Sequence, residues 1–181
     1  MRKTFFAINS TISGFADHTN VIADDELHDF FTGLLNEVDV ILFGRKTYQL
    51  MESYWPNARN DSRSTESEKY FADKINSVAK IVFSKTLTSV SWQNSRLSKK
   101  ELIEEVSELK KQNGKNISIG SLSLASQLLT ANLIDEYYFV VHPLVVGNGK
   151  RLFESSNAKL ELKLIETIKF KSGAVVLHYH I

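Results

Sequence analysis

Apolar residues follow two periods along this chain, and the period changes at nearly every turn signal. Thr4 to Ile8 (Thr-Phe-Phe-Ala-Ile) is a compact apolar run that predicts a short buried strand. From Leu27 the spacing becomes three and four, through Phe30, Phe31, Leu34, Leu35 and Val38, which is helical; Asp24 and Asp25 can cap and charge the start of that helix. Asp39 to Phe43 is too apolar on both faces for an edge and reads as a central strand. Gly44-Arg45-Lys46-Thr47-Tyr48 then opens a helix through Leu50, Met51 and Tyr54 that stops before Pro56. Asn57 to Thr65 is polar and reads as a mobile loop, and Glu66 to Val78 as a helix with Tyr70, Phe71 and Ile75 inward.

The same alternation continues. Lys80 to Phe83 is a strand ending in Ser84-Lys85-Thr86-Leu87, and Ser89 to Gln93 reads as a short edge strand around Val90 and Trp92. Ser98 is placed to cap a helix running to about Gln112, with Leu102, Ile103, Val106 and Leu109 on one face and Asn113-Gly114 as a left-handed cap. Ile117 and Ile119 alternate into Gly120-Ser121. Leu122, Ala125, Leu128, Leu129 and Leu133 return to helical spacing, and Asp135 to His142 is a strand rich in aromatic and branched residues. Leu160 to Phe170 and Ala174 to Ile181 form a hairpin through Lys171-Ser172-Gly173. Four βα connections followed by a hairpin predict an α/β domain: a mixed sheet of about eight strands, helices on both faces, and parallel pairs joined by right-handed crossovers. Asn9 to Val21 has no period and holds Gly14, so it is either a floppy connection or a lid over a site.

Composition narrows the function classes. At 181 residues, with 43% apolar and 24% charged, the chain reads as a single domain over 1–181. Its 22 basic and 21 acidic residues leave a net charge of +1, so no overall field recruits nucleic acid or an anionic membrane. With no cysteine, disulfides, thiolate metal sites and a cysteine nucleophile are excluded, which suits a reducing interior. Met1-Arg2-Lys3 and the apolar residues after it imitate a secretion signal, but Asn9 to Ser13 interrupts the run, and no stretch approaches the ~20 apolar residues of a membrane span. A soluble, cytoplasmic protein is expected.

Candidate chemistry sits where strands end. Gly44 to Thr47 puts two cations in the first turn of a helix, where the dipole disfavours them unless an anion sits there. Ser84 and Lys85 suit phosphate, or else form a solvated turn. Gly120 admits close approach of a ligand to the backbone, and Ser121 and Ser123 either cap the next helix or donate to an anion. One phosphate cannot use three turns so far apart in sequence, whereas a dinucleotide can. No Gly-x-Gly-x-x-Gly is present, and Gly147-Asn148-Gly149-Lys150 lacks the spacing of a phosphate loop, so it reads as a turn after Pro143. His178 and His180 share a strand face without a third ligand in view, a pattern of structural histidines, and no metal site is assigned.

Taken in order, Val40-Ile41-Leu42-Phe43-Gly44-Arg45-Lys46-Thr47-Tyr48, Lys80-Ile81-Val82-Phe83-Ser84-Lys85-Thr86-Leu87, Ile119-Gly120-Ser121 and Leu133-Ile134-Asp135-Glu136 with Pro143, Gly147, Gly149 and Leu152-Phe153 resemble the dihydrofolate reductase superfamily. The chain looks most similar to proteins related to the reductase domain of riboflavin biosynthesis. That resemblance implies the three-layer dihydrofolate reductase-like fold, NADPH as cofactor, and reduction of a C=N or C=O bond in a pteridine- or pyrimidine-like small molecule, as in 5-amino-6-(5-phosphoribosylamino)uracil reductase. It implies that Gly44, Arg45, Lys46 and Thr47 touch phosphate, with Ser84 and Lys85 near the adenosine 2′-phosphate. Gly120, Ser121, Leu122 and Ser123 would take the pyrophosphate, and Ala7 and Ile8 would lie near the nicotinamide. Glu26, with Asp25 beside it, matches the acid that holds the substrate in folate reductases, and Arg59 and Arg63 lie in a loop that could reach a substrate phosphate. Two departures stand out: Ser13 precedes Gly14 where related proteins often carry Asp, and Ile119 replaces the first of two glycines, a change expected to crowd a pyrophosphate. They keep open a second expectation, a nucleotide-binding or regulatory module without turnover. The apolar hairpin around Val175, Val176 and Leu177 is also a candidate homodimer surface.

Overall fold

In the computed structural model, which describes residues 1–153 and 159–181, eight strands form one sheet in the order β4-β3-β2-β5-β1-β6-β8-β7. The strands are β1 (Thr4–Thr11), β2 (Val38–Gly44), β3 (Ala79–Phe83), β4 (Ser95–Leu97), β5 (Asn116–Ile119), β6 (Glu136–His142), β7 (Lys163–Lys169) and β8 (Val175–His180). All pairs from β4 to β6 are parallel, and β6-β8 and β8-β7 are antiparallel. The described residues also form six helices: α1 (Asp25–Asn36), α2 (Arg45–Glu52), α3 (Trp55–Ala58), α4 (Glu66–Ser77), α5 (Leu102–Lys111) and α6 (Leu122–Thr130).

The doubly apolar strands explain the layers. Adjacent residues of a strand point to opposite faces, so Phe6, Leu42, Ile117 and Ile119 pack with Val106 and Leu109 of α5 and Ala125 and Leu128 of α6 on one side. Phe5, Ile41, Phe43 and Val82 pack on the other side, against Leu35 of α1, Tyr48 of α2 and Phe71 and Ile75 of α4. A smaller apolar group, Leu27, Val140, Phe170, Ala174 and Val176, lies where α1 meets β6 and the final hairpin. The expected hairpin is present, its turn closed by Gly173 at φ +85° and by Phe170 N–H donating to the Ala174 carbonyl at 2.9 Å. Among the described residues no helix is long and apolar enough to cross a membrane.

Several expectations need correction. The first strand continues past Ile8 to Thr11, because Asn9, Ser10 and Thr11 pair with Val140, Val141 and His142 of β6. The edge strand is Ser95–Leu97 rather than Ser89 to Gln93. Trp92 is instead a packing residue, its indole N–H donating to Asn76 Oδ1 at 2.6 Å and its backbone N–H to the Tyr48 hydroxyl at 2.9 Å. In α4 the inward residues include Phe71, Ala72, Ile75 and Asn76, while Tyr70 is exposed. Ser98 does not cap α5, whose cap position is Glu101; its hydroxyl instead accepts the Lys100 N–H at 3.1 Å and lies 2.8 Å from Glu105 Oε2. Ile103 faces solvent. After α5, Gln112 is extended and Asn113 is not left-handed. Gly114 serves a close approach, since a Cβ there would stand 2.6 Å from Asp39 Oδ2, beside the Arg2–Asp39 ion pair.

Candidate functional site

Strands β3, β2 and β5 are parallel neighbours, so their carboxyl ends lie on one edge of the sheet within about two strand spacings, ~10 Å. Gly44 pairs with Phe83 and Leu42 with Ile119, which sets the three exits nearly level. There the structure holds a cavity of about 520 Å³ whose lining includes Gly44, Arg45, Lys46, Thr47, Ser84, Lys85 and Ser123. The three turns picked out from the sequence therefore open on one groove.

Their fit is specific. Helix α2 starts with no spacer after β2, and the Gly44 N–H donates to Ser121 Oγ at 2.8 Å, fastening the first turn to the third. A Cβ on Gly44 would stand 3.2 Å from Ser123 Oγ. Gly120 answers a packing need rather than an approaching ligand: a Cβ there would fall below 3.0 Å from two atoms of the Phe43 ring, and its N–H already donates to the Leu42 carbonyl at 2.9 Å. Ile119 is fully buried among the core residues on the α5–α6 side, so the crowding expected of it does not arise. Of the segment Gly120 to Ser123, Ser121 and Leu122 are buried, and Ser123 lines the groove. Ser84 builds its turn by accepting the Thr86 and Leu87 N–H groups at 3.1 and 2.9 Å, which leaves Lys85 exposed on the rim.

The electrostatics favour an anion. The lining carries Arg45, Lys46, Lys85, Lys99, Lys100 and Lys150 against one carboxylate, Glu101. Helices α2 and α6 have neither an acidic residue in the first turn nor a side-chain cap. By contrast, α1 is capped by Asp24 and α4 by a Thr65–Glu68 capping box, both with acidic first turns. Helix first turns leave N–H groups without intrahelical partners and carry the positive end of the dipole. Two such ends open on the groove with their need for a negative group unmet by the protein's own side chains.

Lys99, Lys100 and Gln127 belong to the lining without having been singled out in the sequence, and Lys150 belongs to it although Gly147 to Lys150 reads only as a turn after Pro143. Lysine pairs before helices are common, and the turn holding Lys150 gives no local sign of where it points.

Other candidates lie elsewhere. Ala7 and Ile8 are half-buried in β1, packed on opposite faces of the sheet, and do not line this groove. Glu26 accepts the Lys171 N–H at 2.5 Å and so clips the final hairpin to α1, while Asp25 accepts from the Thr65 hydroxyl at 2.6 Å. Neither carboxylate reaches the groove. Arg59 pairs with Asp73 and Arg63 with Asp61. His178 stacks on Tyr138 with ring centroids 3.9 Å apart and meets Glu136 at 3.3 Å. Among the described residues no three His, Cys, Asp or Glu side chains are grouped to hold a metal. His142 is a polar residue that the sequence did not single out. Fully buried at the end of β6, it accepts the Ile22 N–H on Nδ1 at 3.3 Å, which leaves the Nε2 proton for Asn9 Oδ1 at 3.0 Å. Burial holds its pKa below the ordinary value, so the ring is neutral.

The segment after β1 is tied down. Thr11 N–H donates to the Phe15 carbonyl at 2.9 Å, Ile12 N–H to the Leu144 carbonyl at 3.1 Å, and Ala16 N–H to the Lys150 carbonyl at 2.7 Å. It lies zipped against the loop after β6.

The family model for the RibD C-terminal domain matches residues 9–176. The chain belongs to that family. Within the RibD C-terminal domain family it is similar to the uncharacterized protein YyaP of Bacillus subtilis, 34% identical over 183 residues, covering 99% of this chain and 95% of that protein. Its fold matches a putative riboflavin biosynthesis protein from Shewanella sp. PV-4 at a TM-score of 0.73 and 20% identity, over 99% of this chain and 98% of the other. It also matches dihydrofolate reductase from Enterococcus faecalis, solved with NADP(H), at a TM-score of 0.64 and 13% identity, over 98% and 95%. The RibD C-terminal domain chain thus has the dihydrofolate reductase-like fold, with the antiparallel β8-β7 hairpin at one edge of the sheet.

Proposed function

We propose that the protein is an NADPH-dependent reductase of a pteridine- or pyrimidine-like small molecule. The observation that carries this reading is the convergence of three strand exits on one cationic groove that two uncapped helix N-termini share. A dinucleotide suits that groove in length and in charge. Membership of the RibD C-terminal domain family supports the same reading, as does the shared fold of a dihydrofolate reductase solved with NADP(H).

Arg45, Lys46, Thr47 and Ser123, with the first-turn N–H groups of α2 and α6, would hold the diphosphate. Lys85, assisted by Lys99, would take the 2′-phosphate, which gives a reason to favour NADPH over NADH. Ala7 and Ile8 in the central strand would lie near the nicotinamide. Bound there, NADPH would supply a hydride to the carbon of a C=N or C=O bond. The chain aligns donor and acceptor and excludes bulk water. The accompanying proton would come to the acceptor nitrogen or oxygen from water, since Glu26 and Asp25 lie outside the groove.

A thermal-shift titration tests the reading. At about 100 times Kd, linkage raises stability by roughly 2.7 kcal/mol, and an unchanged melting temperature at saturating NADPH would sink it. The engagement of Glu26 and Asp25 favours a second reading, a module that holds the nucleotide without turnover. NADPH that binds, yet is oxidised by no pteridine or aminouracil derivative, would decide for the module.

Val176 is fully buried and β8, which carries Val175, Val176 and Leu177, lies inside the sheet, so the homodimer is proposed instead at the β7 edge, where Leu164 and Ile165 are about half exposed and one side of the strand has no sheet neighbour among the described residues. Leu164→Lys is expected to shift elution in size-exclusion chromatography to the monomer position. A wild-type chain that elutes as a monomer at all concentrations refutes the dimer.

A further inference from the structure

Beyond Phe6 the central strand loses one neighbour. β1 pairs with β5 only from Thr4 to Phe6 but with β6 as far as Thr11, so Ala7 to Thr11 have one edge without a strand partner among the described residues. The Lys3 carbonyl accepts the Ile117 N–H on the β5 side at 2.8 Å, and the Thr4 carbonyl accepts the Asp135 N–H on the β6 side at 2.9 Å. By that alternation Ala7 and Asn9 turn their main-chain groups to the open edge. Side chains alternate as well, so Asn9 shares a face with Phe5 and Ala7. It stands two positions, ~7 Å, beyond the alanine proposed to lie near the nicotinamide.

The amide of Asn9 has one allowed orientation. The Ile22 N–H donates to His142 Nδ1 at 3.3 Å, so the neutral ring carries its proton on Nε2 and gives it to Asn9 Oδ1 at 3.0 Å. That turns the two N–H groups of Asn9 Nδ2 away from the histidine. Nδ2 has no hydrogen-bond partner among the described residues, and it is not sealed from solvent, since Asn9 is only half-buried. Turning the amide over would set its NH2 group against the Nε2 proton. Moving that proton to Nδ1 would set it against the Ile22 N–H, a main-chain donor that cannot become an acceptor. His142 is fully buried, so no water can take over its part. The Asp24 carboxylate, the charged group that acts on the ring, is engaged as the cap of α1.

We propose that Asn9, its amide held one way round by His142, determines substrate specificity by donating to a ring carbonyl oxygen of the substrate. The proposal rests on the reductase reading above. A hydride acceptor lies about 3–3.5 Å from the nicotinamide, and the next side chain along that face of β1 is Asn9. Its donors are neutral, which suits a neutral carbonyl of an oxopteridine or oxopyrimidine rather than a phosphate. An amino group at the same ring position would meet donor with donor, and the amide cannot turn to accept it.

The test titrates 2,4-dioxopteridine and 2,4-diaminopteridine into protein saturated with NADP+, in the wild type, Asn9→Asp and His142→Phe, and records the Kd for NADP+ in each. The wild type should bind the dioxo compound more tightly, by roughly tenfold for one hydrogen bond against an unpaired donor. Asn9→Asp keeps the shape and the bond from Nε2 but presents an acceptor, so the preference should invert. His142→Phe frees the amide to turn, so the preference should shrink. The aspartate variant, which leaves the buried histidine in place, decides the matter should the phenylalanine variant fail to fold. The same preference in Asn9→Asp as in the wild type, or an effect confined to NADP+, overturns this inference and leaves the reductase reading standing. A wild type that takes NADP+ but neither pteridine overturns it and favours the module. A wild type that does not bind NADP+ overturns both readings.

Discussion

Replacing Gly120 with alanine probes how closely the three turns are fitted to one another. The added Cβ would stand 2.7 Å from Phe43 Cδ1, closer still to Cε1, and 3.3 Å from the Leu42 carbonyl oxygen. The ring has little freedom to turn aside, since Phe43 is 2% exposed and stacks on Trp92 at 6.2 Å. The carbonyl is held in the ladder by the Gly120 N–H itself. Relief must come from moving Phe43, and with it Gly44, whose N–H is bonded to Ser121. Overpacking of this kind costs about 1–3 kcal/mol. Taking about 2 kcal/mol, a domain of this size should melt roughly 4–8 °C lower. Affinity for NADPH should fall too, because the first turn of α2 shifts against that of α6. Melting curves for Gly120→Ala, Phe43→Leu and the double variant provide the assay. Leucine makes room for the new methyl group, so the double variant should be more stable than the summed single losses predict, by about 1 kcal/mol. A Gly120→Ala protein that melts with the wild type, or losses that simply add, would refute the steric argument.

Two further predictions rest on other observations. Ser121→Ala leaves the Gly44 N–H buried without an acceptor, which should cost about 1–3 kcal/mol in denaturant unfolding and weaken NADPH binding; unchanged stability would mean that the two turns are not fastened there. Lys80 is fully buried, its ammonium donating to the carbonyls of Asn76, Val78 and Gln93 and lying 4.4 Å from the Trp92 ring centre, and burial pushes its pKa down from 10.5 to about 8. Between those values the unfolded chain holds a proton that the folded chain lacks, so stability should rise with pH above 8, by at most ~3 kcal/mol. The carbonyls and the indole face favour the ammonium form and hold the gain below that limit. Denaturant midpoints between about pH 7.5 and 9.5 should climb in the wild type and stay flat in Lys80→Met; equal slopes would refute the assignment to Lys80.

Much of the architecture was legible because the physics was local. Asp-Val-Ile-Leu-Phe is apolar on both faces, which only a central strand can use, and β2 is that strand. Asp24 was readable as a cap, and it accepts the Leu27 N–H at 2.9 Å. The failures occurred where a polar residue is satisfied from far away. Asn9 to Thr11 looked like loop because their ladder partners lie some 130 residues on, in β6. Asn76 replaced Tyr70 on the buried side of α4 because its amide serves both the Trp92 indole and the Trp55 carbonyl. No pattern within one helix carries that information.

The site was partly legible for a different reason. Arg45 and Lys46 conflict with the dipole of the helix they open, and that conflict is visible in four letters of sequence. Lys99 and Lys150 create no such conflict, and their place in the groove depends on the strand order alone. Had the strands followed chain order, β5 would stand three places from β2, and Ser121 could not meet Gly44. The observed order seats β5 between β2 and β1, and two complementary features at its end suit that neighbour: the missing side chain of Gly120 that admits Phe43, and the Ser121 hydroxyl that takes the Gly44 N–H. The residues that specify this strand pairing are the ones that bring the first turns of α2 and α6 together. Fold and proposed anion site therefore share a single set of contacts, and damage to either should register in both unfolding and nucleotide binding.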